Sequence, residues 1–166
     1  MLNAAMLSKW HVHAEGYAKF VQEQPDAEVT CVWDEDAARG AAWAEKLGVP
    51  FVENYDELLK RDDVDAVLID TPTNMHKEVM IKAANAGKHI FTEKVLTLTI
   101  SEAEEVREAV KANNTRFAIS FPHFSETGTQ FALEAARSGK LGTLNYARVR
   151  KAHNGSLANW LPAHFY

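Results

Sequence analysis

The sequence predicts an α/β protein: a doubly wound parallel sheet over residues 1–120, followed by the start of an α+β second domain. Strand-like and helix-like segments alternate with short connections, as in βαβ units. The run Ala66–Ile69 is wholly apolar, as expected for a strand that is buried on both faces. Polar residues follow this strand and the next one directly, at the sheet edge where open parallel sheets bind ligands.

The individual elements follow from apolar periodicity and from the residues that interrupt it. Strands are predicted at Ala4–Leu7, Glu28–Trp33, Ala66–Ile69, Ile90–Thr92 and Arg116–Ser120. Helices are predicted at His11–Glu23, Asp34–Leu47, Tyr55–Arg61 and Met75–Ala86, with another that opens at Ser101 and ends near Asn113. The spacing of Ser101 and Glu104 predicts a capping box for that last helix.

The pattern changes after Phe121-Pro122. A helix is predicted at Glu126–Ser138, ended by Gly139, and a half-solvated strand at Thr143–Lys151. The segment from Asn154 to Tyr166 is rich in aromatic residues but contains no obvious closing element, and exposed apolar clusters usually require a partner surface. We therefore expect residues 121–166 to be the incomplete start of a second domain.

Composition and charge exclude several classes of protein. A chain of 166 residues that is 46% hydrophobic can bury a core without disulfides or metals. A net charge of −5 argues against a general nucleic-acid binder or a membrane-surface protein. The single cysteine, Cys31, excludes an internal disulfide framework. We see neither a membrane-spanning run nor a signal peptide, and therefore expect a cytoplasmic location.

Five stretches of the sequence together carry a resemblance to a known family. They are His13–Tyr17, Val32–Asp34, Asp65–His76, Ala86–Lys94 and Ser138–Gly142. In this order they resemble the N-terminal half of the glucose–fructose oxidoreductase / inositol dehydrogenase (Gfo/Idh/MocA) family. The resemblance implies a Rossmann-type dinucleotide-binding domain over residues 1–120. It also implies that residues 121–166 begin a substrate and oligomerisation domain.

The resemblance implies an activity as well. It indicates an NAD-dependent oxidoreductase that transfers a hydride between a nicotinamide cofactor and a hydroxyl carbon of a sugar, polyol or related compound. The complete protein would be a homo-oligomer, and this chain alone would be incomplete for turnover. The resemblance also implies a small-molecule substrate, and it implies neither a nucleic acid nor a membrane as a partner.

Cofactor contacts are expected at the ends of the second and third strands. Asp34 matches the family's acidic residue, whose carboxylate accepts both ribose hydroxyls and repels a 2′-phosphate, so NAD is expected rather than NADP. Alternatively, Asp34 caps the following helix. The loop beside the cofactor is matched by Thr71, Pro72, Asn74 and His76. An ordinary strand end with Thr73 or Asn74 as helix cap is the alternative for this loop.

Catalysis is expected at the end of the fourth strand. Glu93 and Lys94 match the Glu-Lys of the family's Glu-Lys-Pro signature, which implies that Glu93 contacts the cofactor. Lys94 would hydrogen-bond the substrate hydroxyl and stabilise the developing alkoxide; a solvated surface lysine is the alternative. Val95 departs from the signature, because proline is expected there. His153 and Asn154 are further candidates for substrate contact.

Two other features depart from the family pattern. Asp70 stands where a small or neutral residue is usual, and its charge would oppose a pyrophosphate. The segment Met6–His13 contains no glycine, whereas a dinucleotide site normally uses Gly-x-Gly-x-x-Gly. Either the side chains of Ser8, Lys9, Trp10 and His11 replace the missing main-chain contacts, or the pyrophosphate site is damaged.

These departures leave two further alternatives for the function. A damaged pyrophosphate site would make the chain a non-catalytic ligand-binding or regulatory module. The third alternative is a family member that keeps its cofactor permanently and exchanges hydride between two substrates.

No metal site is predicted from the sequence. His11 and His13 are the obvious pair, but alternate residues of a helix lie on different faces, and the sequence shows no third ligand.

Overall fold

The computed structural model describes residues 1–152, 154, 157–158 and 161–163. The chain divides into two compact units, residues 1–120 and residues 121–166. The first unit contains one parallel sheet, whose strands are β1 (Leu2–Leu7), β2 (Ala27–Trp33), β3 (Ala66–Ile69), β4 (His89–Thr92) and β5 (Phe117–Ile119). Their spatial order is β2-β1-β3-β4-β5. The predicted parallel sheet is therefore confirmed.

Helices cover both faces of the central strands. They are α1 (Ala14–Gln22), α2 (Ala37–Leu47), α3 (Tyr55–Leu59), α4 (His76–Asn85) and α5 (Ile100–Ala112). Because side chains alternate along a strand, β1 serves two cores. Ala4 and Met6 belong to a cluster with residues of α1 and α2, whereas Ala5 and Leu7 belong to another with residues of α3, α4 and α5. This division is what makes the sheet doubly wound.

The register of the sheet aligns the carboxyl ends of its central strands. Leu7 of β1 pairs with Trp33 of β2 and with Ile69 of β3, and Ile69 pairs with Thr92 of β4. Since all four strands run in the same direction, the residues that follow them emerge at one edge. That edge, the carboxyl edge, carries the candidate site.

Several predicted helix starts are corrected by the structure. Helix α1 begins at Ala14, so His11 and His13 lie in the preceding loop, and His13 occupies its N-cap position without a side-chain bond. Helix α2 begins at Ala37 and is capped by Asp36, whose side chain accepts from the NH of Arg39. The suggestion that Asp34 caps this helix was therefore wrong.

The start of α4 also differs from the prediction. A short 3₁₀ helix, Thr73–Met75, precedes it, and Met75 is its N-cap without a side-chain bond. The suggested cap at Thr73 or Asn74 is therefore not formed. Helix α4 therefore continues directly from the 3₁₀ helix, and no side-chain cap is seen where it begins.

The capping box of α5 was predicted two residues too late. Thr99 is the N-cap, and its hydroxyl accepts from the NH of Glu102, whose carboxylate accepts in return from the NH of Thr99. Ser101 lies inside the helix and is exposed. Both pairs have the same spacing, but only Thr99 has the extended conformation that an N-cap requires.

The described part of the second unit combines helices with irregular segments. It contains α6 (Pro122–Ser125) and α7 (Thr127–Arg137), the latter close to the predicted helix. The strand predicted at Thr143–Lys151 is not formed, because a strand needs a neighbour for its ladder hydrogen bonds and no described residue pairs with this segment. Among the described residues, no helix is long and apolar enough to cross a membrane.

Thr99→Ala should lower the free energy of unfolding by about 1 kcal/mol, because the NH of Glu102 loses its acceptor. Ser101→Ala is the matched control at the cap predicted from sequence, and should change the stability by much less. Urea denaturation of the two variants and the parent protein measures both effects. Equal destabilisation by the two substitutions would contradict the observed cap.

Candidate functional site

The loop after β1 reaches across the carboxyl edge to the ends of three other strands. The NH of Lys9 donates to Asp34 Oδ2 at 2.8 Å, after β2. The NH of His11 donates to the carbonyl of Asp70 at 3.1 Å, after β3. The His13 ring donates through Nδ1 to Glu93 Oε1 at 2.6 Å, after β4. Because β2 and β3 lie on opposite sides of β1, this loop stands at the topological switch point, the usual ligand site of such sheets.

Ser8 replaces glycine at the tight turn that leaves β1. Its φ of +74° lies in the left-handed region that glycine adopts without strain. Two hydrogen bonds stabilise the turn: the NH of Ser8 donates to the carbonyl of Trp33 at 2.7 Å, and the NH of Trp10 donates to Ser8 Oγ at 3.0 Å. The turn geometry is thus kept although the glycine is missing.

The main-chain amides of this loop donate to groups of the protein. Besides the amides of Ser8, Lys9, Trp10 and His11, the NH of His13 donates to Nδ1 of His11 at 3.2 Å. In a glycine-rich loop such amides would face a pyrophosphate. Of the side chains of this loop, Lys9 Nζ lies 3.3 Å from Glu15 Oε1, and Trp10 is partly exposed.

Asp34 is buried in an ion pair that the sequence analysis did not foresee. Its Oδ1 lies 2.6 Å from Arg39 Nη2, and its Oδ2 accepts from Arg39 Nε at 3.0 Å, a bidentate arrangement. The NH of Asp36 also donates to Oδ1 at 2.8 Å. Arg39 Nη2 reaches Glu35 Oε1 as well, at 2.6 Å. A ribose hydroxyl could therefore reach the Asp34 carboxylate only beside or in place of Arg39.

The close approach of α2 to Asp34 depends on Gly40. A Cβ atom at this position would lie 2.5 Å from the Cβ of Asp34 and 2.5 Å from a ring carbon of Phe51. A side chain there would push α2 away from the end of β2, and with it the Arg39 guanidinium.

Asp70 and Thr71 bring polar atoms into the middle of the edge without compensating contacts. Both carboxyl oxygens of Asp70 and the hydroxyl of Thr71 are buried and have no hydrogen-bond partner among the described residues. Burial, and next the nearby Glu93 carboxylate, raise the pKa of Asp70 to about 8, while Lys9 opposes the rise. Asp70 is therefore mostly neutral at pH 7, which removes the charge that was expected to oppose a pyrophosphate.

The loop after β3 combines exposed and buried candidates. Asn74 is exposed and Pro72 is partly exposed. His76 is buried: its Nε2 lies 3.0 Å from the carbonyl of Thr71, and its Nδ1 lies 3.1 Å from the carbonyl of Leu96. The His76 ring thus links the loop after β3 to the loop after β4, an arrangement that stabilises the edge.

Glu93 is buried at the edge, and its carboxylate accepts three hydrogen bonds. Its side chain is only 1% exposed, and the hydroxyl of Tyr17 and Nδ1 of His13 both donate to Oε1. Ser120 Oγ lies 2.6 Å from the Tyr17 hydroxyl and can donate to it. Burial by itself raises the pKa of Glu93, but the bonds from Tyr17 and His13 and the nearby His11 outweigh burial and leave the pKa below its usual value.

Lys94 is exposed next to this buried carboxylate. Its NH donates to Glu93 Oε2 at 2.9 Å, which fixes the main chain from which the lysine side chain extends. The following peptide bond, Lys94-Val95, is cis although residue 95 is not proline. The edge therefore holds an ammonium group that is accessible to solvent and anchored at its base.

His11 lies beside the same carboxylate and is buried. Its Nδ1 lies 3.8 Å from Glu93 Oε1. Burial lowers the pKa of His11 to about 4, with contributions from His13 and Lys94, although Glu93 opposes the change. His11 is therefore neutral at pH 7. The two premises against a metal site do not hold, since neither histidine lies on a helix and Glu93 supplies a third side chain.

Comparison with known proteins identifies the family. Residues 12–121 match the Gfo/Idh/MocA oxidoreductase family with its NAD-binding Rossmann fold. The chain belongs to this family. It is 36% identical over 152 residues to an uncharacterised oxidoreductase of Streptococcus pneumoniae, an alignment that covers 89% of the chain and 40% of the relative.

Two other similar proteins are named for their activities. An NAD-dependent scyllo-inositol 2-dehydrogenase of Bacillus subtilis is 34% identical over 123 residues, covering 74% of the chain and 36% of that protein. The crystal structure of a 3-ketoreductase from Actinomadura kijaniata with TDP-benzene and NADP superposes with a TM-score of 0.74 at 25% identity, covering 83% of the chain and 44% of the other. The chain thus spans about two fifths of the length of such relatives.

Sequence reasoning missed three residues of this edge: Arg39, Tyr17 and Ser120. Arg39 lies in the first turn of α2, just after Asp34, so helical geometry could have indicated it. Tyr17 follows His13 by four residues, a spacing that places both on one helix face. Ser120 gives no local signal, because it comes to Tyr17 only through the position of β5.

Of the two substrate candidates in the second unit, only Asn154 lies among the described residues. Asn154 is exposed, and its carbonyl accepts from the NH of Ala158 at 2.8 Å. His153 lies outside the described residues.

Asp70→Asn should make the free energy of unfolding less sensitive to rising pH. The pKa of Asp70 is raised in the folded state, so between the ordinary value of 3.8 and about 8 the folded protein keeps a proton that the unfolded chain has lost. The contribution of Asp70 to the free energy of unfolding is therefore fully present below pH 3.8 and declines as the pH rises toward 8. Asparagine has no such proton, so the stability of the variant relative to the parent should increase over this range.

Urea denaturation across the range from about pH 5 to pH 8 measures this difference. Asp62→Asn, which changes an exposed carboxyl group, is the matched control and should shift the stability by a constant amount. Parallel pH profiles for Asp70→Asn and the parent protein would contradict the assignment.

Proposed function

We propose that this chain is the cofactor-binding part of a nicotinamide-dependent oxidoreductase that acts on a hydroxyl carbon of a sugar, polyol or related compound. The observation that carries the proposal is the exposed Lys94 at the switch-point edge, anchored to the buried Glu93, in a chain of an oxidoreductase family. The inositol dehydrogenase among its relatives supports the substrate class.

The proposed role of Lys94 is to bind the substrate hydroxyl. Its ammonium group would donate to the hydroxyl oxygen and stabilise the negative charge that develops there. Glu93 holds the main chain at the base of this lysine through the NH of Lys94, and is itself held by Tyr17 and His13. A bound nicotinamide would supply or accept the hydride.

The residues of the edge fit a dinucleotide in several respects. Ser8 makes the tight turn that the glycine motif normally provides, and the buried polar atoms of Asp70 and Thr71 have no hydrogen-bond partner among the described residues. In the proposal the side chains of Ser8, Lys9, Trp10 and His11 contribute where amides usually would, together with Thr71, Pro72, Asn74 and His76 of the next loop.

We favour NAD over NADP on the charges around Asp34. Arg39 is within 2.6 Å of both the Asp34 and the Glu35 carboxylates, so the three side chains together carry one excess negative charge. A 2′-phosphate would meet that negative charge, whereas ribose hydroxyls can donate to a carboxylate.

A second candidate function is supported by the inward-facing amides of the loop after β1. Because the amides of Ser8, Lys9 and His11 already donate within the protein, a pyrophosphate would find fewer main-chain donors than in a glycine-rich loop. This observation favours a non-catalytic module that binds another ligand at the same edge.

A cytoplasmic location and a homo-oligomeric state complete the proposal. The buried, unpaired Cys31 is consistent with a reducing compartment. The oligomeric state rests on the family resemblance.

Titration with NADH and with NADPH separates the two functions. Energy transfer from tryptophan to the nicotinamide should saturate with NADH, and NADPH should bind more weakly. Arg39→Ala tests the charge argument: removal of the guanidinium leaves two carboxylates, so NADPH binding should weaken further while NADH binding is kept. Failure of a folded protein to bind either nucleotide would favour the non-catalytic module.

Lys94→Ala should abolish turnover in the full-length protein and leave NADH affinity nearly unchanged. Loss of a group that stabilises a developing alkoxide typically costs roughly 10²–10⁴-fold in rate. Steady-state kinetics with inositol as substrate, together with the NADH titration, measures both effects. Lys111→Ala, at an exposed position of α5, is the matched control. Loss of NADH binding in Lys94→Ala would show a structural role for Lys94.

A further inference from the structure

Three side chains of the carboxyl edge form a cluster that resembles a metal-binding site. His11, His13 and Glu93 each offer a donor atom, and these atoms all lie within 4.8 Å of one another. Within the described residues this is the one such group of three histidine, cysteine or acidic side chains. The two histidine rings are 4.7 Å apart between centroids and meet edge to face.

The fold brings these residues together from distant parts of the sequence. The NH of His11 is bonded to the carbonyl of Asp70, which fixes the loop over the end of β3. His13 occupies the N-cap position of α1, and its ring reaches Glu93 at the end of β4. The cluster is therefore formed by the loop after β1, the N-terminus of α1 and the end of β4.

We propose that His11, His13 and Glu93 bind a divalent transition-metal ion, with zinc as the expected occupant. Two imidazole nitrogens and one carboxylate oxygen are a ligand set that zinc and similar ions use in proteins. Such ligands lie about 2.1 Å from zinc, so neighbouring donors in a tetrahedral site are about 3.4 Å apart. The two His Nδ1–Glu93 Oε1 distances, 3.8 Å for His11 and 2.6 Å for His13, lie on either side of this value.

The surroundings of the cluster would orient the ligands. The Tyr17 hydroxyl donates to Oε1 of Glu93, and the NH of Lys94 donates to Oε2, so the carboxylate is held in one direction. Hydrogen bonds of this kind around metal ligands fix their geometry and increase metal affinity. The NH of His13 donates to Nδ1 of His11, so this nitrogen is unprotonated, and a metal ion bound there would replace that hydrogen bond.

Three protein ligands leave at least one coordination position open, which is typical of metal sites that also bind water or a ligand oxygen. The metal proposal depends only on these side chains and does not require that the protein bind a nicotinamide.

Titration of the tag-free, chelator-treated protein with Co²⁺ tests the proposal. The visible absorption of Co²⁺ should show one saturable equivalent in a site of low coordination number, and Zn²⁺ should displace it. His11→Ala, His13→Ala and Glu93→Gln should each weaken Co²⁺ binding by more than about tenfold, because even changes around the ligands cost roughly 10–100-fold.

His123→Ala is the matched control. His123 Nδ1 lies 2.6 Å from Glu126 Oε1 in the second unit, so it is a histidine–carboxylate pair to which the described residues add no third ligand. Its removal should leave Co²⁺ binding unchanged. Circular dichroism checks the folding of each variant. His13 is the decisive position, because its side chain is 46% exposed and the Tyr17 hydroxyl and the NH of Lys94 still bond to the Glu93 carboxylate when it is replaced.

Absence of saturable Co²⁺ binding in the parent protein overturns the proposal. So does binding that survives His13→Ala, or binding that His123→Ala weakens as much as His13→Ala does. The nucleotide titration is an independent measurement. Binding of Co²⁺ at this site without binding of NADH would support the metal site and contradict the proposed oxidoreductase function. Binding of NADH without binding of Co²⁺ would support the oxidoreductase function and overturn the metal site.

Discussion

A carboxylate buried at the edge of a sheet destabilises the fold unless hydrogen bonds replace its lost water, and the organisation of this molecule around Glu93 follows from that constraint. The side chain of Glu93 receives the Tyr17 hydroxyl, the His13 ring and the NH of Lys94, while Ser120 supports Tyr17. These bonds join the loop after β1, helix α1 and the ends of β4 and β5. The position of Lys94, on which the proposed chemistry depends, is a consequence of how Glu93 is satisfied.

The acidic groups of the edge are stabilised in three different ways. Hydrogen bonds keep the pKa of Glu93 below its usual value, and Asp34 forms a bidentate pair with Arg39. Asp70 has no described partner and takes up a proton instead, with its pKa near 8. An edge of this kind concentrates groups that accept or donate protons close to one another, which is usual where proteins bind ligands or carry out chemistry.

The loop after β1 makes a tight left-handed turn without a glycine. Ser8 adopts the left-handed conformation, and its hydroxyl stabilises the turn by accepting from the NH of Trp10. The same loop turns its amides inward and presents two histidines toward Glu93. With its amides bonded inside the protein, the loop presents the partly exposed side chains of Lys9 and Trp10.

The sequence by itself determined the order of the strands along the chain, the buried strand Ala66–Ile69 and the polar segments that follow each strand, because apolar periodicity and turn residues are local signals. It did not determine the Thr99 cap, since Thr99 and Ser101 have the same spacing to a glutamate and only the backbone conformation distinguishes them. Nor did it reveal the Asp34–Arg39 pair or the group of His11, His13 and Glu93. Glu93 lies 80 residues from His13 in the chain, and only the parallel register of β1, β3 and β4 brings their side chains to one place.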